Sequence, residues 1–216
     1  MNQTSRGRGG AVPGPPKTFE DLSARRQRML DTHLENDAQD GIRKLLTQLY
    51  PETAHFVYEL LQNAEDAQAT EVKFDLSKDG LSVAHDGRRE FTLKDIDSIT
   101  NVASSTKVDD NTQIGKFGVG FKSVFAYTTR PEVRSGGFAF AIEELFLPVA
   151  LPDHGTRKDN WTHFYFPFNH PTKSASTAFM EVERALKDLS AATLLFLVSI
   201  RQLLFEIEGG QVGLIE

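Results

Sequence analysis

The chain contains no cysteine, and this absence excludes several kinds of site at once. It has no disulfide framework, no thiolate metal ligand and no thiol nucleophile. Long apolar runs are also missing, because the longest, around Ala191–Ile200, is interrupted by Thr193 and Ser199 and is shorter than a bilayer span. No charged-then-apolar signal sequence stands at the start. We therefore expect a cytoplasmic protein without a membrane partner.

The length and the net charge of the chain further restrict the class of protein to which it can belong. The 216 residues, 39% of them hydrophobic, can form one substantial domain with a hydrophobic core. The net charge of -6 argues against nonspecific nucleic-acid binding, which needs clustered lysine and arginine. The first residues, Met1–Lys17, are rich in glycine, proline and arginine with almost nothing to bury. They predict a disordered arm over 1–17, followed by a single domain over 18–216.

Hydrophobic periodicity predicts a mixture of helices and antiparallel strands. Helical spacing covers Phe19–Leu49, with a break at Asp40-Gly41, and continues over Glu52–Gln68. Alternating residues on both sides of Asp79-Gly80 predict a hairpin. The other predicted elements are helices at Thr92–Ile99 and Thr177–Leu189 and strands at Glu132–Arg134, Phe138–Ile142, Thr162–Phe166, Leu203–Glu208 and Gln211–Ile215. This pattern predicts an α+β fold, a two-layer sandwich with helices on one face of a mixed, mostly antiparallel sheet. Because the chain stops inside a hairpin pattern, we expect it to be the N-terminal part of a longer protein.

The first chemical motif, ELLQNAEDA, lies on the helix predicted over Glu52–Gln68. At roughly 100° per residue, Glu59, Asn63 and Asp66 share one narrow stripe beside the apolar face, whereas Glu65 points more toward solvent. Magnesium prefers oxygen ligands, and the Asn63 carbonyl is one. Glu59, one turn away, is placed to polarise a water for attack on a phosphate. Alone, the motif also fits a partly exposed amphipathic helix.

The second motif, QIGKFGVGFKSVF, spaces Gly115, Gly118 and Gly120 as G-x-x-G-x-G. This order differs from the dinucleotide-binding fingerprint, and Lys122 is not adjacent to a glycine as a Walker loop requires. The glycines let the backbone approach a ligand, and the helix that starts here offers free N–H groups to an anion such as phosphate. The other interpretation is a helix start packed against a neighbouring element.

The two motifs together resemble the GHKL superfamily of ATPases, and within it the sacsin-type and heat-shock-chaperone-type ATP-binding domains. Further matching segments are VAHDGRREFTLKDI at Val83–Ile96, ASSTK at Ala103–Lys107 and TTRPEVRSGGFAFAI at Thr128–Ile142. The resemblance implies a Bergerat fold, in which ATP lies between the helices and the sheet beneath a mobile lid.

The resemblance also implies a role for each matching position. Glu59 corresponds to the general base, Asn63 to the magnesium ligand and Asp66 to a residue that supports the nucleotide. Thr162 corresponds to a strand threonine near the adenine. The phosphate-binding positions are Gly115, Gly118, Val119, Gly120 and Phe121, and the polar start of the lid is Ser105, Thr106 and Lys107.

One position departs from the family pattern. The adenine-reading aspartate of the family stands in D-x-G-x-G, and strict alignment places His85 there, with Asp86 one residue further on. We favour Asp86 as the purine contact, since a carboxylate accepts from an exocyclic amine, and His85 is the alternative. Trp161 stands where a glycine commonly precedes the threonine, so we expect a different pocket floor.

The implied function is a magnesium-dependent ATP-binding domain with slow ATP hydrolysis. It would act as a nucleotide-driven conformational switch in a larger chaperone-like, defence or repair protein. ATP and ADP are the implied ligands, with an ATP-dependent homodimer formed through the lid and further C-terminal domains. The alternatives are a nucleotide-sensing module without hydrolysis and a histidine-kinase catalytic domain, for which His33 is the only phosphoacceptor candidate and a poor one.

Overall fold

The fold is taken from a computed structural model, which describes residues 15–33, 56–101, 120–152, 160–195 and 197–216. Most of the predicted N-terminal arm, the predicted helix break at Asp40-Gly41 and the polar segment 102–119 lie outside these residues.

One eight-stranded sheet organises the described chain, with the strand order β5-β4-β3-β6-β2-β1-β7-β8. All neighbouring strands are antiparallel except β1 and β7, which are parallel. The strands are β1 Glu71–Ser77, β2 Gly80–His85, β3 Glu132–Ser135, β4 Phe138–Glu143, β5 Leu147–Ala150, β6 Thr162–Pro167, β7 Gln202–Ile207 and β8 Gln211–Ile215. The predicted α+β class with a mixed, mostly antiparallel sheet is therefore confirmed.

Several of the described helices begin at recognisable capping residues. Thr92 accepts from the backbone N–H of Asp95, whose carboxylate accepts from the N–H of Thr92, so the two form a capping box. Ser174 caps a later helix by accepting from Thr177. The helices are α1 Phe19–His33, α2 Phe56–Asp66, α3 Leu93–Ile99, α4 Ala175–Asp188, α5 Ala191–Leu194 and a 3-10 helix at Phe121–Ala126. None of these is long and apolar enough to cross a membrane.

The sheet buries one face and exposes the other. Along β1, Val72, Phe74 and Leu76 are buried, whereas Lys73 and Asp75 between them are exposed. This period of two is what a half-covered strand requires, because successive side chains point to opposite sides. The buried residues join helix residues in one core cluster that extends from Leu22 of α1 to Ile207 of β7 (the last position of that strand).

An aromatic layer fixes both sequence motifs to the covered face. The ring of Phe56 in α2 lies 5.9 Å from that of Phe166 in β6. The ring of Phe121, which opens the 3-10 helix, lies 6.1 Å from Phe164 and 6.2 Å from Phe166. Edge and tilted contacts of this kind add to the burial of large apolar rings. As a result, two motifs far apart in the sequence meet over the central strands.

The structure differs from the sequence prediction at long-range contacts. Strand β5, which contains Pro148, was not predicted, and it is accommodated at the sheet edge where a missing N–H is tolerated. Glu65 was expected to face solvent. Instead its carboxylate accepts from the backbone N–H groups of Val198, Ser199 and Ile200 at 2.8–3.1 Å, which ties the approach to β7 to the end of α2.

A buried lysine lies directly after the glycine motif. Lys122 is only 3% exposed, and its Nζ donates to the carbonyl oxygens of Ile99 at 3.0 Å and Leu145 at 3.2 Å. Arg26, also buried, donates to the Asp97 carboxylate at 2.7 Å. Burial, with a smaller contribution from the Arg26 charge, lowers the pKa of Lys122 to about 7.

We expect Lys122 to make stability depend on pH. The unfolded chain holds this proton up to about pH 10.5, whereas the folded chain releases it near pH 7, so the unfolded state binds more protons in between. The unfolding free energy of the wild type, relative to Lys122→Met, should therefore rise from pH 7 to pH 9 by up to about 2–3 kcal/mol. Urea unfolding of both proteins at the two pH values measures this difference. A constant difference would show that the amine titrates normally.

Candidate functional site

A recess opens between α2, the end of β2 and the loop that leads to α3. It is small, with room for about one water molecule. Its walls combine aromatic rings with polar and charged side chains, namely Asn63, Ala67, His85, Arg89, Glu90, Phe91, Asp95 and Phe164. Two of these, Asn63 and His85, are residues that the sequence singled out.

Asn63 brings a buried carboxamide to the recess. The side chain lies on the inward side of α2 and is 9% exposed, and no residue that the structure describes forms a hydrogen bond with its amide group. A buried polar group without a partner costs about 1–3 kcal/mol, and such groups are rare in native folds. The Asn63 carboxamide therefore has the properties of a ligand-binding group.

His85 brings a second buried polar group. The ring is 3% exposed, and its Nδ1 accepts from the backbone N–H of Gly87 at 3.1 Å. Burial lowers the pKa of His85 to about 4, with the Asp86 charge opposing and His163 adding to the shift, so the ring is neutral at pH 7. In a neutral imidazole with Nδ1 as acceptor, the proton is on Nε2. Within the described residues, this N–H has no acceptor.

Asp86, the favoured purine contact, has a different environment. Its Oδ1 accepts from the backbone N–H groups of Thr70 at 2.7 Å and Glu71 at 2.9 Å, and its Oδ2 accepts from the Thr70 hydroxyl at 2.5 Å. Burial raises the pKa of Asp86, but these hydrogen bonds outweigh it and leave a net lowering. The carboxylate connects the end of β2 to the start of β1 and does not line the recess, whereas His85 does.

Glu59 lies against the end of the glycine motif. The side chain is half-buried, and a Cβ atom on Gly120 would overlap the Glu59 carboxylate, with Cδ only 2.5 Å away. Gly120 has ordinary right-handed helical dihedral angles, so the lack of space, and not the backbone conformation, requires glycine here. The structure thus brings together the carboxylate of the first motif and the last glycine of the second.

Thr162 supports the recess wall from beneath. It is 1% exposed, and its Oγ1 lies 2.6 Å from the Oγ of Ser135. The Ser135 hydroxyl in turn accepts from the backbone N–H of Phe91 at 3.0 Å. Because Phe91 lines the recess, Thr162 contributes to the recess only indirectly, by holding the Ser135 hydroxyl that binds the Phe91 backbone. No sequence signal pointed to Ser135, since only the pairing of β3 with β6 brings the two hydroxyls together.

The other residues that the sequence predicted for the site do not line the recess or lie outside the described part of the chain. Asp66 is exposed at the end of α2, where it accepts from the Gln62 amide at 3.3 Å and does not line the recess. Phe121 is buried at the start of the 3-10 helix. The predicted phosphate-binding residues that lie outside the described part of the chain are Ser105, Thr106, Lys107, Gly115, Gly118 and Val119.

The recess also has a charged rim that the sequence did not reveal as part of a site. The Arg89 guanidinium forms an ion pair with Asp95 at 2.6 Å, and both residues line the opening. Among the described residues, no cluster of three or more histidine, aspartate or glutamate side chains is arranged to hold a metal ion. Magnesium keeps several waters and often takes only one or two protein ligands, so a single Asn63 oxygen suits it.

Comparisons with known proteins show which domains this chain resembles. Residues 77–144 match the family model described as "Sacsin domain". The chain is 32% identical over 183 residues to "Protein NO VEIN" of Arabidopsis thaliana, covering 73% of this chain and 7% of that protein. It is 40% identical over 103 residues to "Sacsin" of Homo sapiens, covering 40% of this chain and 2% of that protein. These matches support a sacsin-type domain, and the chain spans only a small part of these relatives.

A solved structure is similar in fold. The crystal structure of the N-terminal domain of a DNA repair protein superimposes with a TM-score of 0.53 at 14% sequence identity. The match covers 80% of this chain and 54% of that one. At this identity the likeness concerns the fold alone.

We expect Gly120→Ala to act through Glu59. The new methyl group must displace the carboxylate, which we expect to lower the unfolding free energy by about 1 kcal/mol. In the Glu59→Ala background the clash is absent, so the same substitution should cost clearly less. Urea unfolding of the four proteins in this double-mutant cycle measures the coupling.

Gly137→Ala serves as the matched control for this cycle, because a Cβ there meets nothing within 4 Å. Its cost should be the same with and without Glu59. An equal cost of Gly120→Ala in both backgrounds would contradict the contact between the two motifs.

Proposed function

We propose that this chain is a magnesium-dependent ATP-binding domain of the GHKL class with a Bergerat fold, which hydrolyses ATP slowly. The observation that carries the proposal is a pair of buried polar groups in one recess, the Asn63 carboxamide and the His85 N–H, which find no partner among the residues that the structure describes. Such groups take an ordered water or a polar ligand as partner. Glu59 lies one helical turn before Asn63. The resemblance of both motifs to this ATPase class supplies the nature of the ligand.

The purine would occupy the recess. The rings of Phe91 and Phe164 line it and offer apolar surface to a planar base, while His85 provides a polar contact. The recess has room for about one water molecule, so a base would enter it only with movement of the surrounding side chains, and the ribose and phosphates would extend through the mouth. In this arrangement His85 takes the base-reading position, since the Asp86 carboxylate already accepts from Thr70 and Glu71.

The Asn63 carbonyl oxygen would hold magnesium, which neutralises phosphate charge when bound. Glu59 would orient a water and accept its proton, because its carboxylate lies at the glycine end where the phosphates are expected. Gly120 leaves the space that this carboxylate occupies. We propose that Ser105, Thr106, Lys107, Gly115, Gly118 and Val119 complete the phosphate side, and that Asp66 and Thr162 support the site without touching the reacting atoms.

The resemblance to the GHKL ATPases also implies slow turnover and a role as a conformational switch. In related ATPases a basic residue from a following domain completes the site, so we propose weak hydrolysis for this chain alone. The sacsin-type matches and the fold of a DNA repair protein support a role in a larger chaperone-like or repair-related protein. An ATP-dependent homodimer is part of the same proposal and rests on the resemblance to this class alone. A sensing module without hydrolysis is the second candidate, and the contact between Glu59 and Gly120 favours hydrolysis over it.

Two substitutions separate binding from hydrolysis. Asn63→Ala should weaken ATP binding in magnesium at least tenfold and remove most of its magnesium dependence, because the oxygen ligand is lost. Glu59→Gln should keep the affinity within about threefold and reduce turnover at least a hundredfold, because it removes only the base. Calorimetry with and without magnesium measures the first effect, and release of inorganic phosphate measures the second.

Gln62→Ala is the matched control, since Gln62 is exposed on the same helix. It should change neither quantity. Binding that survives Asn63→Ala unchanged would contradict the assignment of the recess, and turnover that survives Glu59→Gln would leave the sensing module as the better account.

A further inference from the structure

Four residues of irregular backbone, 87–90, form one side of the recess and are named the strap below. Two of their side chains, Arg89 and Glu90, line the recess, and the three residues from Arg88 to Glu90 are exposed to solvent. A short segment with exposed side chains and outside any helix or strand belongs to the parts of a fold that open most easily.

The walls opposite the strap belong to elements that cannot move independently. Asn63 lies on α2 and Ala67 at its end, while His85 and Phe164 lie on neighbouring strands of the sheet. Helix α2 packs in the core cluster, and β2 and β6 each pair with a strand on both sides. Because the recess has room for about one water molecule, a larger ligand requires the strap side to yield.

The residues that flank the strap are anchored. Before it, the Asp86 carboxylate accepts from the backbone N–H groups of Thr70 and Glu71. After it, the Phe91 backbone N–H donates to the Ser135 hydroxyl, and the Phe91 ring is buried. A movement of the strap is therefore confined to residues 87–90, with Asp86 and Phe91 as its fixed points.

The strap is held against the recess at its start and near its end. The Gly87 N–H donates to Nδ1 of His85 at 3.1 Å, and a Cβ atom on Gly87 would lie 2.8 Å from the Ala67 Cβ, so the packing leaves room for glycine only. Near the end of the strap, Arg89 forms its 2.6 Å ion pair with Asp95. The Arg89 side chain is 55% exposed, and ion pairs at such exposed positions stabilise a structure only slightly.

We propose that residues 87–90 are a gate, held closed by the ion pair between Arg89 and Asp95, which must open before a ligand larger than water enters the recess. The identity of that ligand as a nucleotide rests on the proposed function, whereas the opening is a property of the protein alone. Only the open fraction of the protein binds, so the closed gate lowers the apparent affinity. Locking the strap in place should therefore prevent binding.

The first test measures the opening without nucleotide. Arg89→Ala removes the ion pair and keeps Asp95, so the capping box of α3 remains intact. Hydrogen exchange of the Gly87 amide, followed by NMR, reports the opening because this N–H is bonded to His85 when the strap is closed. Exchange should be about two- to fivefold faster than in the wild type, as expected for the loss of an exposed ion pair. Arg184→Ala, which removes the exposed ion pair with Asp188 on α4, should leave the rate unchanged.

The second test is a reversible lock. A Cβ atom on Gly136, in the turn between β3 and β4, would lie 3.1 Å from the Glu90 Cβ, close to the roughly 3.5–4.5 Å of a disulfide. The chain has no cysteine of its own, so Glu90→Cys combined with Gly136→Cys can form one defined disulfide. In calorimetry with ATP and magnesium, the oxidised double variant should bind about tenfold more weakly, or less, than after reduction. Gly136→Cys alone, treated in the same way, should show no such difference.

The outcomes separate the gate from the proposed function. An unchanged exchange rate of the Gly87 amide in Arg89→Ala, or equal ATP affinity of the oxidised and reduced double variant, would overturn the gate while leaving nucleotide binding intact. If the wild type and the reduced variant both fail to bind ATP, the proposed function is wrong. The exchange rate of the Gly87 amide then decides alone whether the strap opens as proposed.

Discussion

Burial of aromatic rings between helices and one face of the sheet is the interaction on which the rest of the structure depends. Phe56 and Phe121 pack on Phe164 and Phe166 from two segments separated by more than fifty residues of sequence. Each ring removes a large apolar area from water, which is the dominant favourable contribution to folding. The same contacts set Glu59 against Gly120 and place Asn63 beside the end of β2.

The candidate site is where this apolar layer is interrupted by polar groups. Asn63 and His85 are buried, and no residue in the described part of the chain pairs with the Asn63 carboxamide or the His85 Nε2–H. Such groups lower stability unless a ligand or water pairs with them. Other buried polar groups in the described chain are satisfied, as Lys122 is by two carbonyl oxygens and Arg26 by Asp97. The contrast distinguishes groups that hold the fold together from groups that are available for binding.

Local patterns predicted most of the fold, and long-range contacts limited the prediction of the site. Helix α2, the hairpin of β1 and β2, and the capping of α3 at Thr92 follow from periodicity and from turn and capping residues close in sequence. The parallel pairing of β1 with β7 joins segments too distant for such signals. The sequence could not show which of Asp86 and His85 is available to a ligand, and the reason is again a long-range contact. Both are polar residues at the end of one strand, and only the three-dimensional position of Thr70 shows that the Asp86 carboxylate is already engaged.

The most direct test of the central claim is a titration with ATP, followed by NMR of the labelled protein in magnesium. If the recess is the binding site, the largest shifts will fall on the Asn63 side-chain amide, the His85 ring and the Phe91 backbone amide. Residues on the exposed face of the sheet, such as Lys73 and Asp75, will be unaffected. Shifts confined to that exposed face, with the recess signals unchanged, would contradict the account.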